Sequence, residues 1–165
     1  LKQKVMTIIG IKPMFGVAIS TNGHTWVFPL NDISKMKLEY PDMLVFMEKV
    51  AVRPEKYEGN VKEYMEKAVN SYEELKGWLK DHQIPYVLVH SVAWQNALGL
   101  RAQETHRERK ERLWNKAKEL FPRIKIQSWN VTPLLLTTFG EYMVENDLEW
   151  ILSNLPKDIK IAERE

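Results

Sequence analysis

The feature that most restricts what this chain can fold into is a helix-periodic segment held between two short apolar runs. Met43 to Met47 and Tyr86 to Val89 have strand length and are apolar throughout. Between them Val61, Met65, Ala68, Tyr72, Leu75 and Leu79 recur at spacings of three and four, with charges in between. A strand, a helix and a strand in that order form a right-handed crossover with parallel strands. All-α and all-β architectures are thereby excluded. With 165 residues the chain is long enough for one well-buried domain and short for two.

The flanking segments extend the sheet. Val5 to Ile11 is a β-branched run bounded by Gly and Pro, and Gly16 to Ser20 and Thr25 to Leu30 read as two further strands. Thr21-Asn22-Gly23 joins the last two, since Asn-Gly supplies the positive φ angles of a tight hairpin. An antiparallel meander is expected, with Trp26 and Phe28 on one face and Val27 on the other. Downstream, a second helix is predicted over about Thr105 to Phe121, stopped by Pro122, followed by a small edge strand at Ile124 to Ile126. A last helix begins at Thr132-Pro133, with Thr as N-cap and Pro in the first helical position, and reaches about Leu155. The expected fold class is α/β: a mixed five-stranded sheet with helices on both faces, in a single domain over 1–165. Residues 1–5 read as a short N-terminal extension and 156–165 as a charged tail.

Composition removes several classes. The absence of cysteine excludes disulfides and thiolate metal sites and suits a reducing cytoplasm. Hydrophobic residues at 44% and charged residues at 28% are ordinary for a globular protein. No apolar run approaches the ~18–20 residues of a membrane span, so no membrane partner is expected. Nor does Val5 to Ile11, interrupted by Gly10 and followed by Lys12 and Pro13, resemble a signal peptide.

The net charge of +2 conceals a segregation. Arg101 to Lys125 carries +5 and the remainder −3. Within it Arg101, Arg107, Arg109, Lys110, Arg112 and Lys116 form a strongly basic face, with Leu113, Ala117 and Leu120 on the opposite side. Such a face suits salt-dependent, sequence-independent contact with phosphate backbones. Equally, it suits a solvated helix stitched by pairs such as Glu104–Arg107 and Glu108–Arg112.

Three stretches, in order and spacing, resemble the RuvC-like Holliday junction resolvases of phage type, within the RNase H-like superfamily. "IIGIKPMFGVAIS" (Ile8 to Ser20) resembles the family's first strand and turn, of the form IGIDPGxxxGVAI. "LVFMEKV" (Leu44 to Val50) resembles a fourth strand ending in a metal-binding Glu. "IPYVLVHSVAWQNALGL" (Ile84 to Leu100) resembles a strand followed by a conserved-type Trp segment, in which Trp94 is a packing position. "LFP" (Leu120 to Pro122) and "TPLLLTTFG" (Thr132 to Gly140) fall where that family has a helix end and its final helix.

The resemblance implies an RNase H-like fold, a homodimer built on the long helix, branched or duplex DNA (or RNA) as partner, and a two-ion phosphodiesterase centre using Mg²⁺ or Mn²⁺. It also exposes a defect. Of four expected acids only Glu48 stands; Lys12, Trp129 and Thr132 occupy the other positions. No cofactor is therefore expected unless other acids complete the set. Glu141, Glu145 and Asp147 lie too far along the last helix, and Asp32 and Asp42 fall in flanking loops. Lys12 is expected to bridge Glu48, or else to reach solvent, and Trp129 to fill the vacated crevice.

His24, His82, His90 and His106 have no ligand spacing. Ser20, Ser91 and Ser128 have no evident base. Tyr57, Tyr64, Val69 and Trp78 add large groups outside the long helix's core stripe, as a dimer face requires. The reading is a degenerate resolvase-like protein that binds nucleic acid or serves as an assembly subunit, in the cytoplasm, including that of a virus-infected cell. The alternatives are an active junction endonuclease with rearranged acids and a protein-interaction scaffold.

Overall fold

Period-two alternation along one buried strand divides the hydrophobic core into two clusters, one on each face of the sheet. The computed structural model describes residues 2–3, 5, 7–157 and 163–164. Its strands are β1 (Lys2–Gln3), β2 (Thr7–Lys12), β3 (Gly16–Thr21), β4 (His24–Pro29), β5 (Met43–Glu48), β6 (Tyr86–Val89) and β7 (Glu163–Arg164). Its helices are α1 (Gly59–Asp81), α2 (Ser91–Ala97), α3 (His106–Leu120), α4 (Val131–Asn146) and α5 (Leu148–Asn154). The main sheet has the order β4-β3-β2-β5-β6. β2–β3 and β3–β4 are antiparallel, whereas β2–β5 and β5–β6 are parallel. The mixed five-stranded sheet expected from the sequence is therefore present. Asn22 (φ 50°) and Gly23 (φ 80°) make the two-residue hairpin turn between β3 and β4.

Ile9 and Ile11 of β2 face α1, where they pack with Val45, Met47, Tyr72, Leu75 and Leu79. Ile8, Leu44 and Phe46 face the other way, into a core shared with Trp94, Leu134, Leu135 and Phe139. Helices thus cover both faces. Helix α4 lies against β2 at a close approach: a Cβ at Gly10 would collide with the Pro133 carbonyl oxygen and come within 2.9 Å of Leu136 Cβ. Because the obstacle is helix backbone, relief requires moving α4. Gly10→Ala is expected to cost about 2–3 kcal/mol in urea unfolding; a loss below ~0.5 kcal/mol would show that the contact yields freely.

Several boundaries differ from expectation, each for a local reason. The proposed edge strand at Ile124 to Ile126 is irregular instead. Its backbone is served by one side chain, with Asn130 Oδ1 accepting from Gln127 N (2.9 Å) and Asn130 Nδ2 donating to Lys125 O (3.0 Å). The last helix starts at Val131, so Thr132 is inside it and is not its cap; Pro133 still falls in the first turn, where no amide is needed. The helix does not continue to Leu155. Asp147 leaves helical geometry (φ −149°, ψ 60°), and its Oδ1 accepts from Trp150 N (3.2 Å), starting α5 anew.

Val61 is 52% exposed, because only the C-terminal part of α1 (Tyr72, Leu75, Leu79) is buried. Leu120 is exposed rather than packed. Helix α2, unforeseen as a separate element, ends before Gly99 (φ 68°). Near the termini, Lys2 and Gln3 pair antiparallel with Arg164 and Glu163, so part of the expected extension and tail form a small ladder. Residues 1, 4, 158–162 and 165 of those two segments, and residue 6, lie outside the described residues.

Candidate nucleic-acid interface

Parallel pairing carries β2 and β5 to the same end of the sheet. Ile11 is in register with Met47, which sets Lys12 and Glu48 side by side at the strand ends, on the face covered by α4. They open into a cavity of about 480 Å³. Helix α2 contributes Ser91 and Gln95 to its wall, α3 contributes Arg109, Lys110 and Trp114, and the start of α4 contributes Val131 and Thr132. His106 and Ser128 line it as well. Individually these last two residues, and Ser91, have no recognisable spacing in the sequence. They meet only because α2, α3 and the α4 entry converge over the strand ends.

Glu48 is held from the core side: Trp94, fully buried on α2, donates its indole N–H to Glu48 Oε2 at 2.8 Å. Trp94 thus has the expected core position and a polar role besides. Burial pushes the Glu48 carboxyl above its ordinary range; the Lys12 charge and the Trp94 hydrogen bond oppose that shift without reversing it. The expected Lys12–Glu48 salt bridge is not formed. The Lys12 ammonium lies over the Phe15 ring instead, 4.5 Å from its centroid, where cation–π attraction competes with a partly buried carboxylate.

The turn after Lys12 keeps an unusual conformation. Met14 has φ 74°, in the left-handed region that favours glycine, at the position where the resemblance has glycine. Trp129 also departs from expectation. It does not fill the crevice; its ring packs over Gly16, where an added Cβ would lie 2.7 Å from it, and its indole donates to Gln127 Oε1 at 2.8 Å. Thr132 does reach the cavity wall.

The other acids stay away. Glu141 accepts from Ser20 Oγ at 2.7 Å, and with Glu145 it lines a separate depression beside Val5 and Ile8. Asp42 adjoins the opposite end of β2, through Thr7 N to Asp42 O. Among the described residues, Glu48 is the one carboxylate lining the cavity, and no group of three His, Cys, Asp or Glu comes together. One carboxylate, its Oε2 committed to an indole and an ammonium beside it, does not fit a centre for two hard divalent ions.

A folded-state pKa above the unfolded one means that the native protein holds more protons between the two values. Stability from this group is therefore present below the ordinary carboxylate pKa and is lost as pH rises through the raised one. Glu48→Gln keeps an acceptor for Trp94 and removes the buried charge. The variant should unfold at higher urea than the parent at pH 8, and the difference should vanish near pH 4. Parallel pH profiles would contradict the assignment.

The basic face is partly neutralised from within. Glu104, its side chain only 4% exposed, pairs with Arg112 (3.0 Å) and lies 4.0 Å from Arg109 Nε; the expected partner Arg107 is not used. Glu108 closes a capping box with Thr105, so capping replaces the expected Arg112 pair, and these hydrogen bonds lower its carboxyl pKa. Lys116 pairs with Glu119 at 3.3 Å. Arg101, Arg107 and Lys110 are exposed and enter no ion pair among the described residues.

No protein-family model and no curated protein matches the chain. Solved structures do. RuvC of T. thermophilus in complex with a Holliday junction substrate superposes with TM-score 0.55 at 12% identity, covering 86% of this chain and 96% of that one. A second structure of Thermus thermophilus RuvC gives TM-score 0.54, again at 12% identity, over 91% and 98%. With the sheet order, the crossover and the site at the strand ends already in place, this likeness shows that the chain has a RuvC-like fold of the RNase H-like type.

Proposed function

We propose that the chain is a catalytically degenerate RuvC-like protein that binds branched or duplex nucleic acid through the exposed cations of α3 and the loop before it. The observation that carries this is the conjunction at one end of the sheet. A cavity lined by a single carboxylate is walled by a helix whose Arg107 and Lys110 are exposed and enter no ion pair among the described residues. Fixed cations without converging acids can hold phosphates but cannot place two metal ions on one. The junction-bound state of the T. thermophilus RuvC structure supports the choice of a nucleic-acid partner.

The test is a mobility shift on a four-way junction across a salt series, run beside a cleavage assay with Mg²⁺ and Mn²⁺. Retardation that weakens steeply with salt, without strand scission, is the expected result. Scission would establish an active nuclease with a rearranged acid set. An unshifted junction even at ~50 mM salt would leave the domain a protein scaffold.

The chain further acts as a homodimer in this proposal. Tyr57, Val61 and Tyr64 expose apolar and aromatic surface around the N-terminal part of α1, and a two-fold contact there would pair two equivalent basic faces. Sedimentation at micromolar concentration should give twice the 19.5 kDa chain mass; a single-chain mass would exclude the dimer. No described helix is long and apolar enough to cross a membrane.

A further inference from the structure

The same cavity carries a sign of a small ligand that the basic face does not explain. Among the described residues, three buried side-chain polar atoms lack a hydrogen-bond partner: Gln95 Oε1, Arg109 Nε and Glu104 Oε1. Gln95 and Arg109 both line the cavity, and Glu104 is the residue set 4.0 Å from Arg109 Nε, too far for a hydrogen bond. A buried polar atom left without a partner forfeits the hydrogen bond that water gave it in the unfolded chain. Arg109 Nε and Glu104 Oε1 at least face each other, and Glu104 lines a separate depression. The Gln95 acceptor at the cavity wall, by contrast, faces no partner and marks the cavity as incomplete.

The wall states what would complete it. With Arg109 turned to Glu104, Lys12 and Lys110 still outnumber Glu48, so the occupant carries negative charge. Leu113, Trp114 and Val131 supply an apolar side suited to a flat ring. Gln95, 94% buried, presents an amide with an unused acceptor, suited to a ring bearing N–H groups once its side chain settles onto the ligand. The volume, about 480 Å³, lies in the range of small-molecule sites.

We propose that this cavity binds one nucleotide, its phosphate against Lys12 and Lys110 and its base between Trp114 and Gln95. The choice of a nucleotide over other phosphate-bearing rings rests on the nucleic-acid reading above. The nucleotide comes either free, as a nucleoside monophosphate, or as one unpaired residue of a bound strand.

Calorimetric titration with dAMP, inorganic phosphate and deoxyadenosine separates the parts. Binding of dAMP with Kd below about 1 mM, and about tenfold weaker binding of each fragment, is expected. Lys12→Met and Gln95→Met should each weaken dAMP about tenfold. Should either variant misfold, the shift of the Trp114 indole N–H resonance on adding dAMP to the unaltered protein reads the same contact.

A duplex carrying one unpaired 2-aminopurine reports the strand source, by a fluorescence rise on binding. A rise without dAMP affinity assigns the strand, and dAMP affinity without a rise assigns the free nucleotide. Neither signal at ~10 mM dAMP, or phosphate alone binding as tightly as dAMP, overturns the proposal. If the junction is still retarded when both signals are absent, the cavity inference fails while the binding function stands. If the junction is not retarded either, both fail.

Discussion

Trp94→Ala is expected to lower the unfolding free energy by about 3–5 kcal/mol, the range for removing a large aromatic from a packed core. Trp94 has no exposed surface, and it packs in the cluster that joins the sheet to α4. Its loss also strips Glu48 of its hydrogen-bond donor, leaving a buried carboxyl without the contact that holds it. Trp94→Phe separates the two effects, since it keeps most of the volume and removes the N–H; about 1–2 kcal/mol should remain. In the Glu48→Gln background the Trp94→Phe penalty should change, because the two residues share one bond. Urea unfolding of the four proteins measures this. A Trp94→Ala loss under ~1 kcal/mol would mean that α2 is not anchored as described.

Neutralising Arg101, Arg107 and Lys110 together is expected to weaken junction binding on the order of 10²-fold at ~100 mM salt, with the salt slope reduced by about 2–3. These three are the informative choice, because none is engaged by a carboxylate among the described residues. Arg109 and Arg112 stand out equally in the sequence, yet both are turned to the buried Glu104. Replacing them would strand that carboxylate and confuse folding with binding. A mobility shift over a salt series, with thermal melts as control, decides. An unchanged slope in a folded triple variant would remove α3 from the interface.

Much of the fold is legible along the chain because its signals are local. Asn22-Gly23 demands positive φ, and the 3.6-residue period of Tyr72, Leu75 and Leu79 demands a buried helical face. The misreadings fall where a local pattern was outweighed by a distant partner. Ile124 to Ile126 has strand composition but is organised by Asn130. Val61 continues the α1 stripe but overruns the buried portion. Trp129 is large enough for the crevice but is captured by Gly16 and Gln127.

The candidate site shows the same division. Lys12 and Glu48 could be set together from the sequence, because its resemblance to the RuvC-like family implies neighbouring first and fourth strands. That Lys12 prefers the Phe15 ring, that Trp94 secures Glu48, and that Gln95 brings an unused acceptor to the cavity could not. The sequence by itself determined the α/β class, the crossover and the +5 segment, since periodicity, turn chemistry and charge are properties of neighbouring residues. Only the tertiary structure decided which charges are free, which carboxyl is buried and where a ligand-sized void remains. Those depend on which side chains from separate elements arrive at the same few ångströms.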